Sequence, residues 1–79
     1  LGIEAGKTGG SMPTVYNAAN EWAVAAFLQG RISFLDIAAI IEASMRNHKL
    51  IANPSLEEIL NTEQETYDFI NRYIQSARI

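Results

Sequence analysis

Few side chains of this 79-residue chain could perform chemistry, since it contains one histidine and no cysteine. Metal sites on helices use pairs of His or Glu spaced three or four residues apart. The polar residues of the helical segments form no such pair: Asn20, Glu21, Asp36 and Glu42. His48 follows a predicted helix end and is interpreted as a surface residue that complements the helix dipole. Ser11 and the other serines lie in no nucleophile motif. We therefore predict no catalytic, cofactor-binding or metal-binding residue here.

The triplet Gly6-Lys7-Thr8 matches the end of a phosphate-binding loop. The complete motif requires another glycine five positions before Gly6, and that position holds Leu1. It also requires a preceding β-strand, which the sequence does not predict. We therefore reject nucleotide binding by this segment.

Composition and charge exclude further function classes. The formal net charge is −3 with six basic residues, which gives no electrostatic reason to bind nucleic acid. No apolar run is long enough to cross a membrane. The length suits one domain with a small core. Because the chain begins without methionine, we expect it to be part of a longer protein.

The segment from Pro13 to Gly30 predicts the central helix of the fold. Pro13 suits the first helical position, and Gly30 suits the left-handed position just past the helix end. No polar residue occurs from Trp22 to Leu28. A helix that is apolar on all sides has to be surrounded by other protein, so we expect two or more helices to pack around it.

Asn17, Asn20 and Glu21 interrupt this apolar pattern on one side. Asparagine is a poor helix former because its side chain competes for backbone hydrogen bonds. These residues either face solvent or bind loop backbone, within this domain or in a neighbouring one. Trp22 is by default a core residue whose indole N–H needs a partner. Together, Asn17, Asn20, Glu21 and Trp22 are the candidate interdomain contacts.

Two further helices begin at capping boxes, each a serine followed three residues later by an acid. The pairs are Ser33 with Asp36 and Ser55 with Glu58. Because the connector before Ser33 is short, the second helix is expected to pack antiparallel to the first. Thr62 with Glu65 repeats the signal, which predicts a restart or kink in the last helix.

These patterns predict an all-α fold. Apolar stripes at helical spacing follow both boxes, namely Ile37, Ile40, Ile41, Ser44 and Met45, then Tyr67, Ile70, Ile74 and Ala77. Residues 1–7 suggest the last turns of another helix. We expect a small helical bundle, similar to a four-helix bundle, with three main helices and a partial N-terminal one.

Several blocks of sequence carry a resemblance to a known family. They are Gly9-Gly10-Ser11-Met12-Pro13-Thr14-Val15, Asn17-Ala18-Ala19-Asn20-Glu21, Ala23-Val24, Phe27-Leu28, Gly30, Ile32, Phe34, Asp36-Ile37 and Pro54-Ser55-Leu56. The combination resembles the C-terminal domain of the 1-deoxy-D-xylulose 5-phosphate reductoisomerase family. It covers nearly the whole chain, from about residue 5 to about residue 67.

The resemblance implies an NADPH-dependent enzyme of isoprenoid precursor synthesis in the bacterial cytoplasm or a plastid. Such enzymes use Mg²⁺ or Mn²⁺ and are usually homodimers. Residues 1–79 would be a single C-terminal helical domain that braces the catalytic domain. The metal, substrate and cofactor motifs of the family have no counterpart here, so no catalytic residue is carried over.

Two other function classes remain as alternatives. The first is a free-standing helical module that binds a partner protein through its apolar faces. Intact mass would distinguish it, because a module has a mass near 8.7 kDa and the enzyme would be several-fold larger. The second is a helical nucleic-acid binder, which the acidic balance disfavours.

Overall fold

The computed structural model of the chain describes residues 9–77, which form three helices joined by short connections. They are α1 (Met12–Leu28), α2 (Phe34–Asn47) and α3 (Leu56–Ala77). No strand occurs among these described residues, so the predicted all-α bundle is confirmed. The predicted partial helix at residues 1–7 lies outside the described residues.

Helix α1 is the centre of the bundle and packs against both α2 and α3, as predicted. Its buried residues are small: Val15, Ala18, Ala19, Ala23 and Ala26. Because alanine side chains add little bulk, both neighbouring helices can approach α1 closely. Larger side chains from those helices, including Ile40 and Ile70, complete the core cluster with Ala19 and Ala23.

The ends of α1 largely follow the predicted signals. Pro13 is the second helical residue, one position later than predicted, and its missing N–H still belongs to the unpaired first turn. At the other end Gly30 has a φ of 73°, its N–H bonds the Phe27 carbonyl, and the Arg31 N–H bonds the Ala26 carbonyl. These two bonds form the Schellman motif, and they satisfy carbonyls that the helix end leaves free.

Helix α2 begins at the predicted capping box. The Asp36 carboxylate accepts hydrogen bonds from the N–H of Ser33 at 2.8 Å and from its hydroxyl at 2.9 Å. The predicted stripe is confirmed, since Ile40, Ile41 and Ser44 are buried. The Ser44 hydroxyl donates to the Ile40 carbonyl at 2.8 Å, which satisfies this polar group within the core.

Helix α3 also begins at its capping box, with reciprocal bonds between Ser55 and Glu58 at 3.0 and 3.1 Å. The prediction of a restart at Thr62 is wrong, because α3 runs through this residue without interruption. Thr62 and Thr66 are buried, and the Thr66 hydroxyl donates to the Thr62 carbonyl at 2.8 Å. Thr62 is therefore a core residue and not a second cap.

Contacts at both ends show that α1 and α2 are antiparallel. Phe27 near the end of α1 meets Phe34 at the start of α2, with ring centroids 5.9 Å apart. Ser11, just before α1, bonds His48, just after α2. This confirms the arrangement that the short connection predicts.

Candidate interdomain surface

The outer face of α1 brings together three of the four candidate contacts. Asn17 and Glu21 are exposed and Asn20 is half-buried, all on one side of the helix. Val24 and Leu28 continue this side toward the helix end and are 38% and 78% exposed. The structure therefore joins a polar half and an apolar half into one surface that α2 and α3 leave uncovered.

Within residues 9–77 the asparagine side chains of this face bind no loop. Among residues 9–77, no side-chain hydrogen bond involves Asn17 or Asn20. The asparagines were interpreted either as solvent-facing or as bound to loop backbone. Binding to a loop within the described part of the chain is therefore excluded. These amides therefore bind solvent or a partner outside residues 9–77.

Trp22 does not share this face. Successive helical residues are about 100° apart, which turns Trp22 toward the interior relative to Glu21. It is half-buried and packs against the core cluster, and the Arg31 guanidinium lies 5.2 Å from its ring centroid. Trp22 is thus a boundary residue covered by a cation–π contact.

Glu21 lies toward α3, where its charge acts on Tyr67. Burial raises the pKa of Tyr67 above its usual value, and the negative charges of Glu63 and Glu21 raise it further. The phenol therefore stays protonated at neutral pH and can donate a hydrogen bond beside the outer face of α1.

The connection between α1 and α2 forms an apolar end of the bundle. We call this surface the hairpin tip and define it by five exposed residues: Val24, Phe27, Leu28, Phe34 and Leu35. Within the described residues α2 and α3 do not surround α1 on all sides, because three of these exposed side chains belong to it. The uninterrupted apolar run from Trp22 to Leu28 was the sequence signal for this surface.

A second feature, at the opposite end of α1, was missed by sequence reasoning. Ser11 is fully buried, and its hydroxyl lies 2.6 Å from Nε2 of His48 and accepts the Ile51 N–H at 2.8 Å. Its own N–H bonds the Ile51 carbonyl at 2.9 Å. This Ser11–His48–Ile51 cluster ties the start of α1 to the segment that follows α2.

The interpretation of His48 as a surface residue that only complements the helix dipole is wrong. His48 is half-buried, and burial lowers its pKa below the usual value, while the negative charge of Glu65 acts in the opposite direction. The imidazole is therefore neutral at pH 7, and its Nε2 can accept a hydrogen bond from the Ser11 hydroxyl. No local pattern marks this bond, because the two residues are 37 positions apart.

Solvent reaches His48 through a small cavity. The cavity has a volume of about 160 Å³, and its lining includes His48, Lys49, Glu65 and Phe69. Each water in the liquid occupies about 30 Å³, so a few waters fit among these polar groups. Protonation of His48 from solvent is consequently possible without unfolding.

The stability of the chain should fall as the pH drops below about 6.5, the usual pKa of histidine. Because the folded-state pKa of His48 is lowered, the unfolded chain takes up the proton first, and acid favours unfolding. The loss should stay well under the one-proton limit of about 1.4 kcal/mol per pH unit, since the ring is partly solvated. Thermal unfolding between about pH 7 and about pH 5 measures this loss.

His48→Gln is the matched control for this prediction, since the chain contains no other histidine. The pH dependence over this range should flatten in the variant. A wild-type unfolding temperature that rises on acidification would contradict the proposed neutral imidazole.

The described residues offer no arrangement for metal-assisted chemistry. Among residues 9–77, no three His, Asp or Glu side chains lie close enough together to hold a metal ion. Within the same residues, no helix is both long and apolar enough to cross a membrane. The candidate functional surfaces of the described residues are therefore the outer face of α1 and the hairpin tip.

Comparison with known proteins identifies the family. The family described as DXP reductoisomerase C-terminal domain matches residues 1–69. A 1-deoxy-D-xylulose 5-phosphate reductoisomerase from Lachnoclostridium phytofermentans is 61% identical over 72 residues, which cover 91% of this chain and 19% of that protein. One from Geobacillus sp. is 55% identical over 76 residues, or 96% of this chain and 19% of that protein.

The chain thus spans about a fifth of the length of these relatives. The comparison with solved structures gave no significant match. The matched region contains all of α1 and α2 and most of α3, including the outer face of α1 and the hairpin tip. By this match the chain belongs to the DXP reductoisomerase C-terminal domain family.

Proposed function

We propose that this chain is the C-terminal domain of an enzyme that converts 1-deoxy-D-xylulose 5-phosphate to 2-C-methyl-D-erythritol 4-phosphate. The supporting observation is the family match over residues 1–69, together with relatives of that name at 53–61% identity. The reaction consists of a skeletal rearrangement followed by reduction of the resulting aldehyde. It would take place in the cytoplasm as a step toward isoprenoid precursors.

The cofactors of this reaction would bind elsewhere in the full-length enzyme. NADPH supplies the hydride, and Mg²⁺ or Mn²⁺ polarises the substrate oxygens. The carboxylates of residues 9–77 are not clustered for such an ion, so no step of the reaction is assigned to them. We propose that the enzyme is a homodimer and that this domain carries no catalytic residue.

The role proposed for these residues is to brace the catalytic domain. The outer face of α1 supports this role, because exposed apolar Val24 and Leu28 continue directly from Asn17, Asn20 and Glu21. Asparagine amides both donate and accept hydrogen bonds, so they can pair with backbone groups of a neighbouring loop. Trp22 would contribute indirectly, by packing against the core cluster that holds α1 in place.

Asn20→Ala should lower the stability or the activity of the full-length enzyme if this face contacts the catalytic domain. Removal of the Asn20 amide would leave its buried partner in the other domain without a hydrogen bond, which costs about 1–3 kcal/mol. We expect a lower thermal unfolding temperature or lower turnover of 1-deoxy-D-xylulose 5-phosphate with NADPH. Both are measured on the full-length protein, which should be active before substitution.

Asn71→Ala provides the matched control, because Asn71 is an exposed asparagine on α3. It should leave both stability and turnover unchanged within error. An Asn20→Ala enzyme that matches the wild type in both properties would discard the bracing role for this residue. Lack of any turnover by the wild-type full-length protein would discard the proposed reaction.

A further inference from the structure

We propose that the hairpin tip is a docking surface for an apolar patch of the polypeptide that precedes this domain in the full-length enzyme. The tip consists of Val24, Phe27, Leu28, Phe34 and Leu35. This inference rests on the proposed function and extends it to Phe27, Phe34 and Leu35, which lie outside the outer face of α1 that supports the brace.

The tip is apolar to an unusual degree for a surface of a small domain. Leu28, Phe34 and Leu35 are 78%, 71% and 81% exposed, although all three are large and hydrophobic. A contiguous exposed patch of such residues marks an interaction site more often than a free surface.

The tip is also held in one conformation before anything docks on it. The Schellman motif at Gly30 fixes the exit from α1, and the Ser33–Asp36 bonds fix the entry to α2. The side chain of Ile32 is buried beneath the connection. Phe27 and Phe34 meet edge to face, with ring planes at 72°. A preorganised surface loses little conformational entropy when it binds.

The charges around the tip indicate an apolar and uncharged occupant. Arg31 is the basic residue of the connection, and its guanidinium lies over Trp22. Asp36 is the nearby acid, and its carboxylate binds Ser33. Because both charged groups already have a partner within the chain, neither is available to bind an acidic or basic partner. An anionic membrane surface is equally disfavoured, because membrane-binding surfaces carry clusters of Lys and Arg.

The size of the tip favours a tethered occupant over a second copy of this chain. A stable interface between separate proteins buries about 800 Å² on each partner, contributed by about 20–30 residues. Five residues supply much less. Within one polypeptide the effective concentration reaches the millimolar range, so a small patch is sufficient. The relatives are about five times longer than the matched region, and the family name places that region at the C-terminus.

Cysteine labelling in the full-length protein tests this inference. The 79 residues contain no cysteine, so Leu35→Cys and Leu28→Cys each create a unique label site within the domain. Maleimide labelling is followed by mass spectrometry of the corresponding peptide, in native buffer and in urea. We expect at least tenfold slower native labelling at both positions. Gln75→Cys, at an exposed position near the end of α3, is the control and should label at nearly the urea rate.

Glu21→Cys separates this inference from the proposed brace. Fast labelling at positions 28 and 35 with slow labelling at position 21 would overturn docking of the tip and confine the brace to its polar half, Asn17, Asn20 and Glu21. Fast labelling at all three positions would overturn both. Protection at positions 28 and 35 that disappears on hundredfold dilution would overturn the tethered occupant, because it would show that a second copy covers the tip.

Discussion

Ile70→Ala should lower the free energy of unfolding by about 2–5 kcal/mol, the usual loss for removing a large aliphatic side chain from a core. Ile70 is fully buried and belongs to the cluster that includes Ala19, Ala23 and Ile40. The buried α1 members of this cluster are alanines, which have no side-chain rotamers that could fill the cavity. A small domain has a total stability of about 5–15 kcal/mol, and the variant would lose a large share of it.

Urea unfolding followed by circular dichroism measures this loss as a lower midpoint at an unchanged slope. Leu60→Ala is the matched control, because Leu60 lies on the same helix and is 59% exposed. Its effect should stay within about 0.5 kcal/mol. A loss below about 1 kcal/mol for Ile70→Ala would contradict the packing of α3 against α1.

Gly10→Ala should destabilise the chain by about 2–5 kcal/mol, for two reasons that add. Gly10 has a φ of 56°, and a residue with a Cβ pays about 1–2 kcal/mol in this left-handed region. The added Cβ would also overlap the carbonyl oxygen of Ile51 and lie 3.2 Å from Cα of Ala52. Because these are backbone atoms, they yield only if the loop moves, and overpacking of this kind costs about 1–3 kcal/mol.

A substitution at the neighbouring Gly9 distinguishes the cost of the left-handed backbone from the cost of the steric overlap. Gly9 has a similar φ of 71°, but no described atom lies within 4 Å of the position that its Cβ would occupy. Gly9→Ala should therefore show only the backbone cost of about 1–2 kcal/mol. Equal losses in both variants, measured by thermal unfolding, would contradict the close approach of Gly10 to residues 51–52.

The shift of the loop in Gly10→Ala should also disturb the Ser11–His48–Ile51 cluster. The Ser11 hydroxyl accepts a hydrogen bond from the Ile51 N–H, and the Ser11 N–H donates one to the Ile51 carbonyl. Any displacement of residue 51 therefore stretches both hydrogen bonds. The destabilisation would then be accompanied by a more normal pKa for His48, since the imidazole would be less buried. The pH dependence of unfolding described above should be weaker in this variant.

The sequence by itself determined the helices, the fold class and the family. The boundaries at Gly30, Ser33 and Ser55 were predictable because caps act within four residues of the helix end. The central position of α1 was predictable because no polar residue occurs from Trp22 to Leu28, and a helix that is apolar on all sides requires other protein around it. The family followed from blocks such as Asn17-Ala18-Ala19-Asn20-Glu21, which form a specific combination.

Only the tertiary structure decided which side chains are buried and which distant residues bond. Thr62 repeats the signal of a helix start, but α3 runs through it because packing of the bundle buries its side chain. His48 and Ser11 are 37 positions apart, so only folding shows that they meet. Leu35 and Ile40 are equally apolar, yet one is 81% exposed and the other fully buried. Local capping depends on adjacent residues, whereas burial depends on what the rest of the chain places opposite each side chain.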